Sequence, residues 1–160
     1  MSAATAPTRV FAGIDEAGLG PLLGPLTLGW SAFRAPPGGI DLWRRLGRVV
    51  TKDPKDDAKR IVVADSKRVF SRNPRGARRL ETTALCFLAQ LDPEGRAPAS
   101  AAQVLSNLPT TLRLPPEVLE RHPWYAALEE RLPVHQEAGS LELRAHLLRR
   151  ELERHGAAGE

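Results

Sequence analysis

Residues 10–28 read VFAGIDEAGLGPLLGPLTL, and the fold turns on them. Val10 to Ile14 is short, apolar and partly β-branched or aromatic, which predicts a buried strand rather than a helix. It runs into two adjacent carboxylates, Asp15 and Glu16. A turn of small residues follows (Ala17, Gly18, Leu19, Gly20, Pro21), then Gly24, Pro25 and a second apolar run. Glycine and proline at this density stop regular structure. Two charges at the end of a buried strand carry a desolvation cost that a bound cation offsets, so the pair is a candidate site. If the strand stays regular, alternation sends the two carboxylates to opposite faces. They converge on one ion only where the backbone bends, and the glycines make a bend cheap.

The same stretch has a rival reading. Gly18-Leu19-Gly20 followed by Gly24 is loosely similar to a dinucleotide-binding glycine loop. The spacing is one residue too long, prolines sit where the helix should begin, and two carboxylates would repel a pyrophosphate. The simplest reading of Asp15-Glu16 remains a solvated loop start.

Outward from this stretch, Leu26 to Phe33 reads as a second strand, antiparallel to the first. Ile40 to Val50 has Ile40, Trp43, Leu46 and Val50 at helical spacing, with Trp43 expected in the core. Ile61 to Ala64 is another short strand that also ends in an acid, Asp65, followed by Ser66 and Lys67. Strand ends that each present an aspartate are the pattern of a site. Lys67 to Arg79 carries six positive charges and no negative one, and Pro74 and Gly76 mark it as a loop. A helix is predicted from about Arg78 to Leu91, with Leu80, Ala84, Phe87 or Leu88, and Leu91 as its buried face. Asp92 to Ala102 reads as a loop, and 108–116 as extended. A short helix starts at Pro115-Pro116-Glu117. Trp124-Tyr125 is expected to pack in the core rather than stack on bases. Ser140 is the expected N-cap of a last helix running to His155, with Leu141, Ala145, Leu148 and Leu152 on its inner face. Residues 1–8 and 156–160 are expected to be loose ends of a single domain over 9–155.

The composition allows a real core in one domain: 160 residues, 42% hydrophobic and 26% charged. One cysteine, Cys86, excludes an internal disulfide and a cysteine-based zinc cluster. It lies among apolar neighbours and is expected to be a core thiol. The four histidines share no ligand spacing. No apolar run reaches membrane-spanning length and nothing resembles a signal peptide, so a soluble, cytoplasmic monomer with no membrane partner is expected. Residues 1–80 carry 15 Lys+Arg against 7 Asp+Glu, whereas residues 81–160 carry 8 against 12. The positive half holds the carboxylate turn, which favours a polyanionic partner over a neutral metabolite.

Gly13-Ile14-Asp15-Glu16-Ala17-Gly18-Leu19-Gly20-Pro21-Leu22 resembles the GIDEAGRGPL signature of type 2 ribonucleases H, the HII/HIII group. Asp65-Ser66-Lys67 is similar to that family's second motif, DSK. The similarity covers roughly residues 9–80. It implies a ribonuclease H-like α/β fold with a mixed, mainly five-stranded sheet flanked by helices. It also implies cleavage of RNA in RNA–DNA hybrids, or at ribonucleotides embedded in DNA. By position, Asp15 and Glu16 would be two of four acids holding Mg²⁺ or Mn²⁺. Gly18, Leu19 and Gly20 would form the loop whose backbone reads the ribose 2′-hydroxyl, and Ser66 and Lys67 would touch the nucleic-acid backbone. The chain departs from the family at two places. Leu19 replaces an arginine, and neither later catalytic aspartate is recognisable, since Asp92 is the only aspartate after Asp65. The chain is therefore expected to be the front half of such an enzyme. The alternative is a non-catalytic nucleic-acid-binding module of the same fold.

Overall fold

A computed structural model of the chain describes residues 9–16, 28–36, 41–106, 115–121 and 130–159. Strand β1 (Arg9–Glu16) pairs antiparallel with β2 (Leu28–Ala35), so both predicted strands form, but β1 is not the buried strand expected: Val10, Phe11 and Ile14 are exposed, because among the described residues no element packs over them. Pairing is regular from Arg9↔Ala35 to Glu16↔Leu28. The strand therefore continues through both carboxylates instead of ending before them.

Helix α1 is only Leu42–Arg45, capped by Asp41, whose carboxylate accepts from the Arg44 N–H at 3.1 Å. The predicted helix over 40–50 is thus cut short: the chain turns at Leu46–Val49, and Val50–Thr51 form strand β3. Trp43 is not core; it is exposed, and the Lys52 ammonium sits 4.2 Å from its ring centre. A 3₁₀ turn at Pro54–Asp56 leads to β4 (Ile61–Val62), which pairs parallel with β3. Helix α2 (Ser66–Val69) follows at once.

The long helix α3 is Pro74–Leu88, several residues earlier than its apolar pattern predicts. Asn73 caps it by accepting from the Gly76 N–H at 2.9 Å, and Pro74 occupies the first turn, where its missing N–H costs nothing. Residues read as breakers are the start of the helix. Its buried face is also rotated from the expected one. Gly76, Thr82, Leu85 and Cys86 are buried, while Leu80 and Ala84 are exposed. Leu91 closes a 3₁₀ turn (Ala89–Leu91) and is exposed too. Helix α4 (Ala101–Ser106) begins inside the predicted loop, and α5 (Pro116–Arg121) starts where expected.

Helix α6 (Ala138–Arg154) buries Leu141, Ala145, Leu148 and Leu152, the four positions the spacing predicts. Glu137 rather than Ser140 stands at its N-cap. Gly156, at φ +63°, reverses the chain after it. Ala157 is then buried, and Ala158–Gly159 form β5 against β2, so the expected frayed tail is a strand. The core joins α3 and α6 with Leu46, Val50, Ile61 and Ala157. Phe33 of β2 meets Phe87 of α3 edge-to-face, centroids 6.1 Å apart.

The chain is mixed α/β with small sheets. Among the described residues the strands form a three-stranded antiparallel sheet, β1-β2-β5, and a separate parallel pair, β3-β4, where one mixed five-stranded sheet was expected. No described helix is long and apolar enough to cross a membrane. The expected loose start over 1–8, the extended stretch 108–114 and the core residues Trp124-Tyr125 lie outside the described residues.

Candidate metal and nucleic-acid site

Asp15 stands one residue from the end of β1, exposed and paired in register with Gly29. Glu16 is the strand's last residue. The glycine loop that would complete the site, Gly18, Leu19 and Gly20, lies outside the described residues.

The second motif is set by β4 and α3. Ile61 and Val62 are buried, and the Thr83 hydroxyl of α3 lies 2.8 Å from the Val62 carbonyl. Asp65 follows as the N-cap of α2, its carboxylate accepting from the Lys67 N–H at 2.9 Å. This acid therefore has a local task, satisfying an otherwise orphaned amide. Ser66, Lys67 and Arg68 are exposed beside it, and Val69 points inward. Asp15 lies in β1 of the antiparallel sheet, whereas Asp65 lies three residues past the end of β4, which stops at Val62 rather than at the expected Ala64. Among the described residues, no three His, Cys, Asp or Glu side chains gather to hold a metal ion.

The basic run after Lys67 divides into structural and available charges. Arg75 grips both oxygens of Asp57 at 2.7 Å. Arg79 spans the Val69 carbonyl (3.0 Å), the Pro54 carbonyl (3.3 Å) and the Ser71 hydroxyl (3.0 Å), tying the segment before α3 to the 3₁₀ turn. Lys67, Arg68, Arg72 and Arg78 are exposed with no ion pair among the described residues. These four exposed cations, spread over 67–78 from the DSK motif onward, suit a polyanion.

Sequence reasoning missed Asp57, whose side chain is only 7% exposed. The Arg75 guanidinium holds its carboxyl below the usual carboxylate range, with Arg79 and Arg78 helping, against the opposing effect of burial. Its setting in the polar run 51–60 gave no hint of a fixed partner eighteen residues on.

An apolar cleft of about 330 Å³ lies between β2 and α3, lined by Trp30, Phe33, Ala84, Phe87 and Leu91 among others. Its lining contains no carboxylate. Burial pushes the Cys86 thiol up to about 12, so it is an inert core group. No protein-family model, curated protein or solved structure matches the chain.

Proposed function

We propose that the chain carries the opening catalytic elements of a ribonuclease HII-like endonuclease. Its substrate class is RNA in RNA–DNA hybrids, or duplexes containing embedded ribonucleotides. The observation that carries this reading is the ten-residue run Gly13–Leu22, with Asp15 exposed on a regular strand leading into it. The DSK motif, opening an exposed basic segment at Ser66 and Lys67, supports it.

Carboxylate oxygens fit a hard divalent cation, so the donors of Asp15 and Glu16 suit Mg²⁺ or Mn²⁺ in kind, but β1 stays regular through both, and alternation assigns their positions to opposite faces of the sheet. They do not suffice in number for two ions, because two carboxylates bring −2 against +4. When bound, such ions activate a water and stabilise the leaving 3′-oxygen. This chain's residues would hold the first cation at Asp15, present bare backbone to the ribose at Gly18 and Gly20, and fix the phosphates at Lys67 and Arg68. Leu19 keeps the backbone of that loop but removes a cationic contact.

A second reading is a nucleic-acid-binding module without cleavage, favoured by Leu19 in place of the arginine of the resembled motif. One experiment separates the two. A labelled duplex with a single ribonucleotide, or a short RNA stretch, is incubated with the chain in Mg²⁺ or Mn²⁺, alongside Asp15→Asn. Metal-dependent cutting abolished by Asp15→Asn supports the nuclease. Salt-dependent binding without cutting supports the binding module, and neither cutting nor binding removes both.

A further inference from the structure

β1 is exposed along residues 9–15. Among the described residues it pairs only with β2, and its other edge has no partner strand. Val10, Phe11 and Ile14 are 55%, 41% and 76% exposed, so apolar side chains protrude on both of its faces. An edge strand of eight residues is usually blunted by proline, a bulge or a central charge. β1 has none of these, and its charges sit only at its ends, at Arg9, Asp15 and Glu16.

We propose that this edge pairs with β1 of a second copy of the chain, antiparallel, across a two-fold axis normal to the sheet. In a continuous antiparallel sheet, facing residues lie on the same side. A two-fold normal to the sheet keeps each residue on its own side, so it can pair odd positions only with odd and even only with even. An axis through Ala12 then sets Arg9 opposite Asp15 of the second copy, Val10 opposite Ile14, and Phe11 opposite Gly13. Every pair is complementary. The ends become ion pairs, the exposed aliphatics cover each other, and the Phe11 ring covers bare glycine backbone. Moving the axis to Gly13 would set Phe11 against Asp15 and Val10 against Glu16, and leave Arg9 without an acid. The Ala12 register is therefore the one that the charges select. It joins two three-stranded sheets into one, β5-β2-β1-β1-β2-β5. Neither Arg9 nor Asp15 has an ion pair among the described residues that would have to be given up.

The inference does not rest on the nuclease reading. Because both use Asp15, the test is run in a metal chelator. Sedimentation velocity of the full chain from about 1 to about 100 µM should give a concentration-dependent dimer. Arg9→Asp and Asp15→Arg each place two like-charge pairs in the interface and should raise the dimer Kd roughly tenfold or more. The double variant Arg9→Asp/Asp15→Arg restores both pairs with opposite sense and should recover the dimer. That recovery also separates the register from damage to the fold. A monomer at every concentration overturns the proposal. So do a dimer indifferent to either single reversal, a double variant that fails to recover, and polydisperse aggregation of the unaltered chain.

Discussion

Asp57 and Arg75 are eighteen residues apart, yet two parallel hydrogen bonds of 2.7 Å join them. Asp57 is nearly buried, while the Arg75 side chain is 56% exposed. The pair ties the end of the 3₁₀ turn to the first turn of α3, so a charged contact holds the start of the long helix, capped by Asn73, against that turn.

Asp57→Asn removes the anion but keeps the shape. It should lower stability at neutral pH by about 1 kcal/mol, because an exposed guanidinium shares the contact with water. The Asp57 carboxyl titrates below its ordinary value in the folded chain. Its contribution is therefore complete above about pH 4 and is lost as pH falls through the folded pKa. Thermal melts at pH near 7 and near 2.5 should differ less in the variant than in the unaltered chain. An equal acid loss in both would show that Asp57 is not the group responsible.

Cys86 should be silent to a thiol reagent at about pH 8 and react at once after denaturation. Since its folded pKa lies at about 12, the neutral thiol's contribution is intact below the unfolded value of about 8.5 and is lost as pH rises toward 12. Stoichiometric labelling of the native chain would contradict its place in the core.

Leu148→Ala empties the middle of the α3–α6 contact, where Leu148 is fully buried. A loss of about 2–5 kcal/mol is expected from urea unfolding. Leu147→Ala, one residue away and exposed, should cost less than about 0.5 kcal/mol.

Two helical glycines should respond oppositely to alanine. A Cβ on Gly76 would overlap the backbone of Ser71, so Gly76→Ala should destabilise by more than about 1 kcal/mol. At Gly139, in the first turn of α6, nothing lies within 4 Å, and alanine should add a few tenths of a kcal/mol through helix propensity. Melting temperatures that move together would refute the packing at Ser71.

These contrasts also mark how far the sequence could be read. Leu141, Ala145, Leu148 and Leu152 were legible because α6 buries one stripe against one neighbour. On α3 the apolar residues occupy two faces. Ala84, Phe87, Leu88 and Leu91 line the cleft beside β2. The tightly packed face instead uses Thr82, whose hydroxyl bonds the Arg78 carbonyl at 2.7 Å. A hydrophobicity pattern follows the cleft side and misses a core position occupied by threonine. Gly76 was read as a breaker because its reason, the approach of Ser71, is tertiary. Ala158-Gly159 carries no strand signal, since backbone pairing with Phe33 and Arg34 makes β5. At the candidate site, the two motifs were legible from local residue order. How Asp15 and Asp65 stand to each other was not, because one lies in β1 of the first sheet and the other caps α2 beyond the separate β3-β4 pair.

The placement of α6 and β5 has a consequence for synthesis. Among the described residues α6 supplies four of the eleven buried core residues, and β5 adds the outer strand of the first sheet. Arg149 reaches back to the carbonyls of Ala89, Asp92 and Pro93, and Arg144 to that of Ala58. Until residue 159 has left the ribosome, β2 lacks its second neighbour and α3 its helical cover. The nascent chain therefore carries an open apolar surface on α3 until α6 has been made.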